Sequence, residues 1–147
     1  MPMSDLAIHQ ALATRLTALT QPTGLRGGTI RASYAVPPDN LGAVPAAVVL
    51  PGTDSIEYGA ASRRTVLTCT VTIYLPFQAE SERRYLDLLV WRTWLRNAYD
   101  GTVLLGGEAA QASVTSTSIG NATWGDQQYV TIAAEVDVVN LEGKSFA

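Results

Sequence analysis

Arg64-Thr65-Val66-Leu67-Thr68-Cys69-Thr70-Val71-Thr72-Ile73-Tyr74-Leu75 is the stretch that decides the fold. Leu67, Cys69, Val71, Ile73 and Leu75 alternate with Val66, Thr68, Thr70, Thr72 and Tyr74. Successive side chains of an extended chain point to opposite faces. The segment therefore reads as a strand with one apolar face and one Thr-rich face, as in a sheet covered on one side. Pro76 ends it, because proline has no N–H to give to a ladder.

A half-covered sheet needs helices, and the flanking sequence supplies two. Residues 81–99 read as a helix capped by Ser81. Leu88, Trp91, Leu95 and Ala98, with Val90 and Trp94, form its apolar face, and Arg92, Thr93, Arg96 and Asn97 lie opposite. Tyr85, Leu86 and Leu89 fall on the side that later becomes polar. That apolar surface is wider than one core-facing stripe, which predicts contact beyond the helix's own sheet. Residues 4–20 read as an amphipathic helix with Ile8, Leu12, Leu16 and Leu19 at helical spacing. Ser4 or Asp5 caps it, and Pro22 stops it.

The remaining segments read as strands and connections. Residues 29–36 are a weak strand stopped by Pro37-Pro38, and 45–50 a short apolar strand between Pro45 and Pro51. The polar run 51–63 reads as an extended loop, long enough to be functional or to order against a partner. Residues 102–105 and 112–119 read as short strands, with a loop around Trp124 and Gly125. Residues 127–139 form a long final strand. Val130, Ile132, Ala134, Val136 and Val138 face one way; Tyr129, Thr131, Ala133, Glu135 and Asp137 face the other. Residues 140–147 read as a tail, loose unless docked. The order is α-β-β-β-α-β-β-β. This predicts one α+β domain over residues 1–147, with a mostly antiparallel mixed sheet and two helices on one face.

Composition narrows the chemistry. A chain of 147 residues forms one domain and buries roughly two-thirds of its unfolded surface, so it needs no staple. Charged residues are 16% of the chain, against about a quarter in ordinary domains. One cysteine (Cys69) and one histidine (His9) exclude a disulfide framework and Cys/His zinc sites. A net charge of −3 argues against general nucleic-acid binding. The first residues lack a basic leader and no run is long enough to span a bilayer, so a soluble, cytoplasm-made protein is expected.

Catalytic constellations are weak. There is no Gly-x-Ser-x-Gly nucleophile elbow. His9 reads as a surface or partly buried helix residue, and Cys69 as a buried, inert thiol. Gly143-Lys144-Ser145 ends like a phosphate-binding loop, but Val138 stands where the first glycine belongs. Glu135 and Asp137 stand about 7 Å apart on one strand face, and a solvated acidic face is favoured over an acid–base pair. Arg83, Arg84, Arg92 and Arg96, beside Trp91 and Trp94, read as a solvated helix side. No catalytic, cofactor or metal site is assigned, and the chain reads as a non-enzyme.

The combination resembles a known family. An N-terminal helix with Ile8, Leu12 and Leu16 precedes a weak strand ending in Pro37-Pro38. Then come Pro45-Ala46-Ala47-Val48-Val49-Leu50-Pro51, a variable loop, and a strand ending Thr72-Ile73-Tyr74-Leu75-Pro76 that leads into the second helix. Trp124-Gly125 and Tyr129 introduce the last long strand. Over about residues 4–140 this is similar to the tail terminator (tail completion, minor tail) proteins of long-tailed bacteriophages. The resemblance implies a homo-oligomeric, hexameric ring in the virion, on the head-proximal end of the tail tube. Such a ring stops tube growth and offers a surface to the head–tail connector or completion protein. DNA passes through its channel without specific binding, and no cofactor is implied. On that basis Ile56, Tyr58, Tyr85, Leu86 and Leu89 are the expected subunit or tube contacts, and Glu135 and Asp137 an expected acidic channel wall. Two alternatives stay open. One is another phage neck protein, a head-completion or connector protein. The other is a small enzyme or ligand-binding domain with Trp91, Trp94 and Trp124 lining a pocket.

Overall fold

The computed structural model describes residues 4–25, 28–59, 62–76, 82–99, 103–104 and 110–143. They form α1 (Asp5–Ala18), β1 (Ala32–Tyr34), β2 (Ala46–Tyr58), β3 (Ser62–Pro76), α2 (Glu82–Ala98), β4 (Val103–Leu104), β5 (Ala110–Trp124) and β6 (Gln127–Gly143). The strands make one sheet in the order β1-β2-β3-β6-β5-β4. β1 runs parallel to β2, and the other neighbours are antiparallel. The α+β class, the element order and the placement of both helices on one face agree with the sequence reading.

The alternation in β3 sets the core. Leu67, Cys69, Val71, Ile73 and Leu75 stand opposite Val138, Val136, Ala134, Ile132 and Val130 of β6. That apolar field is covered by Ile8, Leu12 and Leu16 of α1 and by Leu88, Trp91 and Leu95 of α2. α1 lies over β1 and β2, and α2 over β5 and β6. Ser4 caps α1, its Oγ accepting from Ala7 N–H at 3.1 Å.

Polar contacts tie the helices together. Arg15 Nε donates to the Ala98 carbonyl at the end of α2 (2.6 Å), where a cation suits the helix dipole. Trp94 Nε1 donates to Thr20 O (2.9 Å), and the buried Tyr99 hydroxyl donates to Leu12 O. Burial holds the Tyr99 phenol well above its ordinary pKa.

Several expected boundaries are corrected. The stretch 51–63 is not a loop: β2 continues to Tyr58 and pairs with β3 down to Tyr58↔Arg63. Residues 60–61 lie outside the described residues. Polar composition suggested a loop, but an edge strand whose side chains meet solvent has no need to be apolar. A bulge between Pro51 and Asp54 resets the register there. β5 extends to Trp124, so the expected loop shrinks to the two-residue turn Gly125-Asp126, with Gly125 at φ +61°. β6 reaches Gly143, so residues 140–143 of the expected tail pair with the start of β3. Residues 144–147 and the expected Ser81 cap lie outside the described residues. Val90 is exposed rather than core-facing.

The far face of the sheet is also only half open. Leu41, Ala46, Val48 and Tyr74 make a second small core there, joined by Tyr34, Leu50, Ala122, Trp124 and Tyr129. Tyr74 meets Trp124 and Tyr129 edge-on at 5.3 and 5.9 Å between ring centroids. The Trp124 Nε1 donates to Asp39 O (3.3 Å) and Tyr34 Oη to Leu41 O (3.1 Å), which straps the segment after β1 across this end.

Candidate assembly surfaces

The bulge turns the outer half of the β2–β3 hairpin into an arm. In the paired core Pro51 opposes Cys69; beyond the bulge Asp54 opposes Leu67, Ile56 opposes Thr65 and Tyr58 opposes Arg63. Asp54, Ile56 and Tyr58 therefore stand on the face that carries the helices. Ile56 and Tyr58 are 46% and 68% exposed there. Glu57, on the opposite face, pairs with Arg64 at 3.3 Å. This exposed pair contributes little to stability.

The second surface is α2. Its inner stripe is buried through Leu88, Trp91, Leu95 and Ala98, while Tyr85, Leu86, Leu89 and Val90 are 44–55% exposed. Trp94 marks the flank facing α1 through its bond to Thr20. On a helix of 100° per residue, Tyr85, Leu89, Arg92 and Arg96 occupy the flank directed away from α1. α2 lies over β5 and β6, so that flank looks toward the β5 side of the sheet. Side chains of Arg83 and Arg84 lie outside the described residues.

The third is the open part of the far face. Glu135 is exposed and opposes Thr70 and Ser116, and Asp137 is half-buried and opposes Thr68 and Ser113. Thr68 Oγ1 donates to Asp137 Oδ1 at 2.8 Å, and Ser116 Oγ to Glu135 Oε2 at 3.4 Å. The two carboxylates share one face, as the sequence predicts. Each is held by a hydroxyl, and the hydroxyls come from the strands on either side of β6.

Two hollows border the N-terminal turn of α1. One, of about 450 Å³, is lined by Leu6, His9, Val36, Pro51 and Gly52, among others. The other, of about 150 Å³, is lined by Ile8, Ile56, Arg63, Thr65 and Asn140, among others, and both include Asp5, Asp54 and Leu67. Leu6 and Val36 are exposed apolar residues that sequence reasoning missed. Leu6 stands off the Ile8–Leu12–Leu16 stripe by more than a right angle, a signal a helical projection would have caught.

His9 is corrected from a surface or partly buried residue to a buried one. Its Nδ1 lies 3.0 Å from Ala35 O, which only accepts, so Nδ1 carries a proton; Nε2 faces Cys69 Sγ at 3.7 Å. This pair does not activate the thiol. Burial first, then the carboxylates of Asp5 and Asp137, push Cys69 up to about 11, the reverse of a reactive cysteine. We expect no reaction of Cys69 with a disulfide reagent at pH 8 in native protein, and full reaction after denaturation; native reactivity would overturn this assignment. The sign of the linkage follows. A folded pKa above the unfolded value stabilises the fold below pH 9 and loses that contribution as pH rises through about 11. Cys69→Ala should flatten the alkaline limb of the stability curve, read by thermal melts between pH 8 and 11.

The three tryptophans do not line one pocket. Trp91 and Trp94 pack edge-on at 5.6 Å beneath and beside α2, while Trp124 belongs to the cluster on the other face of the sheet. Among the described residues there is no cluster of three metal-ligating side chains, and no helix is long and apolar enough to cross a membrane. No protein-family model and no curated protein matches the chain.

Proposed function

We propose that this chain is a ring-forming assembly protein of the tail terminator type, capping the head-proximal end of a phage tail tube. The observation that carries the reading is the split of its exposed apolar surface. One patch sits on the arm (Ile56, Tyr58) and the other on α2 (Tyr85, Leu86, Leu89), at opposite sides of a six-stranded sheet. A subunit with two different sticky surfaces makes head-to-tail contacts, and such contacts close into rings where the rotation between copies closes. With the helices outside such a ring, the Glu135 and Asp137 face turns toward the channel, where negative charge repels passing DNA.

The test is to bind the purified protein to tail tubes and image them by negative stain. We expect density at one end of each tube only, and arrest of further tube growth at that end. Binding along the tube wall, or to isolated heads alone, would overturn the reading.

A further inference from the structure

Among the described residues both long edges of the sheet are open, and they are complementary. β1 pairs with β2 only at Ala46–Val48, so among the described residues no strand pairs with β2 on that side from Val49 to Glu57. β4 pairs with β5 only at Gln111–Ala112, and the Val114 N–H donates to Tyr99 O (2.9 Å). From Thr115 to Trp124 the outer edge of β5 has no partner strand among the described residues. That stretch has no charged residue and no proline, so it lacks the usual guards of an edge strand apart from the bulge at its start.

We infer that the β2 arm of one copy adds to the β5 edge of the next copy, so that the sheets run continuously from subunit to subunit. Four observations fit together. First, direction: β2 and β6 run one way and β3 and β5 the other. A copy rotated about an axis along the strands therefore brings β2 antiparallel to β5. Second, stagger: Asp54 lies level with Leu67, whereas Ile119 lies level with Ile132 and Ile73. The open edges are thus offset by six residues of β3, Leu67 to Ile73, or about 20 Å. Repeating four strands, β2, β3, β6 and β5, advances about 19 Å sideways. The strands would then tilt by about 45°, within the range of closed barrels. The same shift carries β1 of one copy past the end of β5 and leaves β4 of the other beyond the arm.

Third, the apolar patches meet. Asp54, Ile56 and Tyr58 stand on the helix-bearing face of the arm, so they arrive beside the outward flank of α2, with Tyr85 and Leu89. Strand pairing alone involves fewer residues than the 20–30 a side of a stable interface; the α2 flank adds the apolar area it lacks. Fourth, the charges match. Asp54 makes no ion pair among the described residues, and neither do Arg92 and Arg96 on the α2 flank. The inference deepens the assembly reading above and rests on it. Its test uses purified protein without tubes, so failure here leaves binding at the tube end to be judged by itself.

The experiment mixes two variants. Ile56→Lys/Tyr58→Lys spoils the arm and leaves the β5 edge. Thr117→Pro/Asn121→Pro spoils the edge and leaves the arm; both residues share the sheet face of Val114, so their N–H groups point outward as its does. Should the prolines unfold the chain by circular dichroism, Leu89→Lys on the exposed flank blocks the same surface. Light scattering should show a closed oligomer for the unaltered protein at high concentration and a 15.7 kDa monomer for each variant alone. The equimolar mixture should give a dimer that grows no further, since each pair has one good junction and two dead ends. An unaltered protein that stays monomeric, variants that still assemble alone, or a mixture of folded variants that stays monomeric would each overturn the inference.

Discussion

Trp91→Ala will lower the unfolding free energy by about 3–5 kcal/mol. The indole is fully buried, at the junction of α2 with the β5–β6 half of the sheet, and touches Trp94 edge-on. Alanine leaves a cavity whose lining comes from two layers, so neither helix nor sheet collapses easily into it. In a chain of this size the melting temperature should fall by about 10 °C or more. Trp91→Phe should cost much less than the lost volume suggests, because the indole N–H finds no acceptor among the described residues. Chemical denaturation of the three proteins decides this. Equal losses for Ala and Phe would show that the N–H is satisfied and the packing secondary.

Gly52→Ala will strike the arm. A Cβ at this position would overlap the Thr68 carbonyl oxygen and lie 3.2 Å from its carbon. Those atoms are backbone of the central strand β3 and cannot swing aside as a side-chain tip would. Relief requires β2 to part from β3 at the bulge, at a cost of about 1–3 kcal/mol by analogy with overpacked cores. The larger effect is geometric. The bulge sets which face Asp54, Ile56 and Tyr58 occupy, and a one-residue slip puts them on the other side. We expect a folded but assembly-defective protein, with amide exchange accelerated from residue 53 to 58 and the helices still protected. Exchange and light scattering measure both; unchanged assembly with normal exchange in the arm would overturn the role given to the bulge.

Legibility in the sequence followed the strength of the physical signal. β3 could be read because its two faces differ at every step, and β6 because Val130 to Val138 repeat the pattern. Helix-period apolar spacing marked both helices, and Pro76 ended β3, whereas α1 stops at Ala18, short of Pro22. The outer half of β2 reads as a loop because Gly52-Thr53-Asp54-Ser55 carries turn composition. What makes it a strand is the backbone of β3 beside it, and side-chain composition does not report that. The surplus apolar side of α2 is legible at Tyr85, Leu86 and Leu89, but Val90, read with the core face, is exposed. His9 reads from the sequence as a surface or partly buried residue, whereas its full burial depends on Ala35 and Cys69 arriving from distant positions.

The sequence by itself determined the element order, the layer arrangement and the inward faces of β3 and β6. Periodicities of two and 3.6 are local properties, written wherever apolar residues recur. Tertiary structure alone decided that the polar run after Pro51 is an arm and that, among the described residues, β2 and β5 keep open edges at opposite sides. It also decided that the far face carries a second core at one end and two carboxylates at the other. Those are facts of pairing and register between residues far apart in the chain. Strand pairing is made by backbone groups that every residue shares, so no side-chain pattern announces which edge is left without a partner.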